Sequence, residues 1–247
     1  MGVDGLMSDQ LFIEQNSELI TEILIKVQVD TVEQLMDLKG RKSTEEFLLF
    51  IQDLNVKEII RAKAANAINI YDASHGVMLQ TIQGFAALSE QTLQALKNYS
   101  TESLLNQLDN MAQIIKKEVV NGIIAGTTAK TVLEAVQGQG ALSPRQLQTL
   151  IDTAMNEYSR SVTKVMIDKM PKDTKYVYIG ALDDRTRDEC LDMMSKGELT
   201  QKEIIDEFGE DVFINGGGYN CRHKWEIAVQ DKFGHDPKGA EKLKDKN

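Results

Sequence analysis

Two cysteines and one histidine concentrate the metal-ligating and nucleophilic chemistry of this chain: Cys190, Cys221 and His223. Residues 221 and 223 stand two apart in Tyr219-Asn220-Cys221-Arg222-His223-Lys224-Trp225, which leads into a strand, so both side chains fall on one face. Cys190, on a helical segment, could complete a cluster with them. Thiolates and imidazole suit Zn²⁺, and a structural zinc takes four donors, so the trio needs a fourth such as Asp183, Asp188 or His235. No Cys-x-x-Cys knuckle is present, which weighs against a metal. Three readings stay open. The simplest is a pair of buried, inert thiols; the others are a structural zinc on Cys190, Cys221 and His223, and a Cys190–Cys221 disulfide formed after release from a reducing cell.

A second group precedes the first cysteine. Asp183-Asp184-Arg185-Thr186 reads as the opening of a helix running to Lys196, with a carboxylate at the positive end of the helix. The Arg185 guanidinium can fork onto an aspartate or onto carbonyls and lock this loop against the Asn220–Arg222 turn. The catalytic alternative makes Asp183 and His223 a general acid/base pair, within a metal-dependent hydrolase or nuclease centred on Asp183, Cys190, Cys221 and His223. That pairing needs a pocket, which these residues do not imply. A nuclease built on paired histidines is poorly served, because the only other histidines are His75, in a helical break where it reads as exposed or capping, and His235 near the tail.

The elements that position these groups follow from periodicity. Prolines stand only at 144, 171 and 237, leaving a long helix-compatible stretch at the start. Apolar residues recur at helical spacing from Leu11 to Leu38. Ser43-Thr44-Glu45-Glu46 has the form of a capping box for a second run through Tyr71. Gly76 and Gly84 predict a break or bend, helix resumes at Ser89, and a joint is expected around Asn98–Thr101. Pro144 opens a helix over 144–169 that Pro171 stops. Beyond Lys175 the period becomes two: Tyr176–Ile179 reads as a strand, Thr200–Glu203 as a capping box for a helix ending at Gly209, and Val212-Phe213-Ile214 as a short strand. The class is mostly α, a long helical N-terminal region followed by a small α+β C-terminal domain over 171–235, with a flexible tail over 236–247.

Charge and composition exclude several functions. The net charge of −10 argues against a protein that grips phosphate, since sequence-independent nucleic-acid affinity comes from Lys and Arg. Residues 1–40 carry eight acidic residues against Lys26 and Lys39, an acidic helical face that could also dock a basic partner. No apolar run approaches the length of a membrane span, and the acidic first residues have the wrong sign for a secretory leader, so a soluble cytoplasmic chain is expected. A cellular helical adaptor with a redox-sensitive small domain fits these facts as well as an enzyme does.

The order of motifs narrows the choice. A strand ending in an aromatic, then Asp183-x-Arg185-Thr186 and Cys190, then Asn220-Cys221-Arg222 before a final strand, resembles the C-terminal domain of the head-morphogenesis (minor capsid, Mu-type) proteins of tailed bacteriophages. The resemblance covers about residues 119–227 and includes Val120-Asn-Gly-Ile-Ile-Ala-Gly126 and the helix around Leu150–Ala154. Members often read Cys-Arg-Cys where this chain has Cys221-Arg222-His223. The resemblance implies 1–118 as a helical interaction region and 119–170 as a helical lead-in to the small domain. It further implies a non-catalytic virion structural protein whose partners are the phage portal and/or the major capsid shell, with a homo-oligomer around the vertex as one arrangement. No specific nucleic-acid or membrane binding and no cofactor beyond a structural zinc are expected, and the location is the host cytoplasm during assembly, then the virion head.

Overall fold

The computed structural model describes residues 3–81, 88–139, 143–219 and 221–228. Among them the chain begins with α1 (Val3–Gly40), α2 (Thr44–Asp53), α3 (Val56–Lys63), α4 (Ala65–Thr81), α5 (Glu90–Ala125), α6 (Ala129–Gly138) and α7 (Pro144–Ile167). There follow β1 (Lys175–Ile179), α8 (Asp188–Ser195), β2 (Leu199–Thr200), α9 (Gln201–Phe208), α10 (Val212–Asn215) and β3 (Lys224–Ile227). The fold is mostly α, with long N-terminal helices and a small antiparallel sheet near the C-terminus, as the change of period predicts. None of the described helices is long and apolar enough to cross a membrane.

The helical stripe of α1 is buried at Ile13, Ile20, Leu24, Val27, Val32 and Leu35, while Leu11 and Leu19 remain exposed. Ser43 caps α2: its Oγ accepts from the Glu46 amide at 3.2 Å, and the Glu46 carboxylate accepts from the Ser43 amide at 2.8 Å. The run expected to continue through Tyr71 is divided instead. Leu54 turns extended, and the Asn55 side chain accepts from the Glu58 amide, restarting the chain as α3. Gly76 does not break α4; the burial of Ser74, His75 and Met78 around it offsets the roughly 1 kcal/mol that glycine costs a helix. His75 is therefore buried rather than exposed or capping, 4.2 Å from the Tyr158 ring between centroids. The joint expected at Asn98–Thr101 is absent too. Ser100 is buried against the Tyr71 hydroxyl at 2.8 Å, and this tertiary contact holds a polar stretch in continuous helix. Gly84 and the tail over 236–247 lie outside the described residues.

The sheet has the order β2-β1-β3, antiparallel throughout, with Tyr178 opposite Trp225 and Ile179 opposite Lys224. Thr200 caps α9 reciprocally with Glu203, as expected. Val212–Ile214 is not a strand. It forms the turn of helix α10, closed by Asn215 and Gly216 amides donating to the Asp211 and Val212 carbonyls at 2.8 and 3.0 Å. Three consecutive apolar residues carry no period, so burial alone cannot decide their conformation.

Two compact units share the chain. One comprises residues 1–15, 74–98 and 152–247; the other comprises 16–73 and 99–151. The first contains the sheet, and its C-terminal core gathers Ile167, Tyr176, Tyr178, Cys190, Leu191, Met194, Ile204, Phe213, Cys221 and Trp225.

Candidate functional site

Strand β1 directs Tyr176 and Tyr178 to one face by its period of two, and both are buried. Trp225, opposite Tyr178 on β3, packs with ring centroids 5.0 Å apart, and Phe208 and Phe213 close around the indole at 6.1 and 6.4 Å. The His223 imidazole stacks on Tyr178 at 5.6 Å with planes 17° apart. It lies so close over Gly180 that a Cβ there would overlap the ring. This aromatic floor positions the two sulfurs.

Cys221 Sγ is the centre of the cluster. Cys190 Sγ, from α8, lies 3.6 Å away. The Tyr178 hydroxyl lies at 3.3 Å, the Gly217 and His223 amides donate at 3.2 and 3.4 Å, and His223 Nδ1 stands at 3.7 Å. The Gly216–Gly218 loop wraps the sulfurs so tightly that a Cβ on Gly217 would overlap Cys190 Sγ, which is why backbone alone occupies that place. These contacts decide where charge sits. The hydrogen bond from Cys190, with those of His223 and Tyr178, pushes the Cys221 thiol well down despite burial. The same bond to Cys221 and burial push Cys190 up. Burial likewise raises the Tyr178 phenol.

His223 Nε2 is 2.7 Å from the Ala181 carbonyl. A carbonyl only accepts, so Nε2 carries a proton, and Nδ1 is the ring nitrogen left facing Cys221 at 3.7 Å. Cys190, Cys221 and His223 thus form a buried trio whose ligand atoms lie within 4.8 Å of one another, able to hold a metal ion. Neither Asp183 nor Asp188 joins it, and His235 lies outside the described residues.

The Asp183 group is organised differently from the sequence expectation. Helix α8 begins at Asp188, not Asp183. Asp183 instead anchors a turn: its amide donates to Thr186 Oγ1 at 3.0 Å, its carboxylate accepts from the Arg185 amide at 3.0 Å, and Thr186 Oγ1 donates to the Ala181 carbonyl at 2.9 Å. A short polar side chain here satisfies local amides without a helix. Arg222, not Arg185, makes the fork, with Nη1 and Nη2 at 2.8 and 2.5 Å from the two Asp183 oxygens. These bonds hold the Asp183 carboxyl well below the usual carboxylate range. Arg185 is largely exposed, 3.5 Å from Asp183 and 3.9 Å from Glu14. Asp183 and His223 bond to different partners, the Asp183 carboxylate to Arg222 and the Arg185 amide and His223 Nε2 to the Ala181 carbonyl. Asn220 lies outside the described residues.

Arg160 is the residue that sequence reasoning missed. It projects from α7, is 2% exposed, and donates through Nε to the Ile214 carbonyl and through Nη1 to the Cys221 carbonyl at 2.7 Å. It ties both ends of the glycine loop. Among the described residues no carboxylate pairs with it, and its Nη2 has no hydrogen-bond partner. Burial lowers its pKa, and the electrostatic effect of Cys221 is the largest one opposing that. Arg187 supports the same loop by donating to the Tyr219 carbonyl. Because Arg160 lies before Pro171, a fragment over 171–235 is expected to resist trypsin less than one over 144–235; equal digestion rates would contradict the anchoring role of α7.

Residues 113–225 match the family model described as Phage Mu protein F like protein, somewhat under half of the chain. The match spans the end of α5, the helices α6 and α7, and the whole cysteine–histidine cluster, and it bears out the resemblance read from the motifs. No curated protein and no solved structure gives a significant match.

Proposed function

We propose that the chain is a non-catalytic structural component of a phage head, assembling through protein contacts with the portal and/or the major capsid shell. The match of residues 113–225 to the Mu F-like family carries this reading. Two features support it. The polar groups of the cluster are turned on each other and on backbone carbonyls, an arrangement that fixes a loop. The net charge of −10 suits a component held beside packaged DNA by protein rather than by phosphate contacts. On this reading the small sheet region is a family module, and the helices before residue 119 supply partner-specific contacts, with several copies around the vertex. Mass spectrometry of purified proheads and virions tests it: the expected result is consistent recovery of the chain from both, and its absence from both overturns the reading. A phosphodiester or peptide substrate turned over in a His223-dependent manner would replace it with a hydrolase.

A further inference from the structure

We propose that Cys190 Sγ, Cys221 Sγ and His223 Nδ1 bind one Zn²⁺ ion, with the Tyr178 hydroxyl beside the fourth coordination position. Geometry is the first argument. A tetrahedral zinc with Zn–S of about 2.3 Å and Zn–N of about 2.0 Å sets S···S and S···N edges of about 3.8 and 3.5 Å. The corresponding distances here are 3.6 Å between the sulfurs and 3.7 Å from Cys221 Sγ to His223 Nδ1, and all three ligand atoms lie within 4.8 Å of one another. The Tyr178 oxygen, 3.3 Å from Cys221 Sγ, stands at the same kind of spacing.

The second argument is the preparation of each ligand. A metal-binding histidine characteristically donates its other ring N–H to a carbonyl or carboxylate, which fixes the tautomer; the Ala181 carbonyl does this for His223. The Gly217 and His223 amides aimed at Cys221 Sγ are the hydrogen bonds that steady a metal-bound thiolate. Arg160, with no carboxylate partner among the described residues, donates to the Cys221 carbonyl and so places a positive charge next to a residue that would carry a thiolate. Two thiolates neutralise the charge of Zn²⁺, which an enclosed site requires.

Neither rival explains all of this. Inert thiols do not call for an imidazole tied through Nε2 to a carbonyl with Nδ1 facing a sulfur. A disulfide needs the sulfurs at about 2.05 Å, against 3.6 Å here, and gives that imidazole no role. Coordination involves no electron transfer: each thiol that still holds its proton releases it to solvent as its metal–sulfur bond forms.

The test uses the full chain purified under reducing conditions without chelator. Elemental analysis is expected to find about one zinc per chain, falling at least tenfold in Cys190→Ser and in His223→Gln. To separate loss of metal from loss of fold, the wild-type chain is also stripped with a chelator and titrated with Co²⁺. The expected result is the intense visible absorption of tetrahedral cobalt with a thiolate charge-transfer band, both abolished by zinc, while Trp225 emission tracks loss and recovery of the site. Competition titration of Tyr178→Phe is expected to show about 10- to 100-fold weaker zinc binding; unchanged affinity overturns the placement of Tyr178. Absence of zinc together with absence of the cobalt bands, or a Cys190–Cys221 disulfide in the freshly reduced preparation, overturns the site as a whole. None of these outcomes depends on whether the chain is found in virions.

Discussion

Replacing Arg160 by alanine is expected to destabilise the sheet-containing unit by about 3–5 kcal/mol, the largest single effect at the cluster. The side chain is 2% exposed and donates to two carbonyls, Ile214 and Cys221, that bracket the glycine loop. Removing it strips both acceptors at once, the buried Cys221 carbonyl at about 1–3 kcal/mol and the partly buried Ile214 carbonyl at less, and leaves a cavity the size of a guanidinium with its stem. Arg160→Lys should recover little, because a single ammonium cannot replace two donors at fixed spacing. Urea unfolding followed by Trp225 emission measures this directly, since Trp225 is the only tryptophan and sits within that core. A variant within about 0.5 kcal/mol of the parent would refute the anchoring role.

Asp183→Asn is expected to cost about 2–3 kcal/mol near neutral pH, because it leaves the mostly buried Arg222 guanidinium without its bidentate partner. The figure stays below that of a fully buried pair because the Asp183 side chain is one-third exposed. Acid should erase the difference in a defined direction. Arg222 holds the folded-state Asp183 carboxyl below its unfolded value of about 4, so its contribution is full above that value and is lost as pH falls through the depressed folded value. The stability gap between parent and variant should therefore be flat from pH 7 to about 5 and narrow only in stronger acid. A gap that closes already near pH 6 would assign the effect to another group.

Much of this was readable from residue order because it depends on neighbours in sequence. Both capping boxes, Ser43 with Glu46 and Thr200 with Glu203, work within one turn, and they form as the pattern predicts. Strand β1 announces itself by alternation, and Pro144 opens α7. Cys221 and His223 are expected together from their i, i+2 spacing and Cys190 from its helix; the three do meet, although residues 221–223 precede β3 rather than lying on it. What could not be read depends on partners far away in the chain. Arg160 resembles any solvent-facing arginine on a helix until Cys221, 61 residues later, lies against it. Which of Arg185 and Arg222 would fork onto Asp183 is decided by the return of the chain before β3. Likewise, nothing local distinguishes the helical Val212–Asn215 from a strand, and only Tyr71 reveals why the polar stretch around Ser100 stays helical.

The interleaving of the two units sets an order of events during translation. The unit of residues 16–73 and 99–151 has all its parts once residue 151 has been made, whereas the other must wait for β3. At the usual rate of synthesis the roughly 75 residues between them take on the order of ten seconds. Throughout that interval residues 1–15 and 74–98 are already made while the sheet they share a unit with does not yet exist. The nascent chain thus carries a finished helical unit alongside orphaned segments of an unfinished one, and a ribosome stalled before Cys221 would release a product that cannot close its cysteine–histidine cluster.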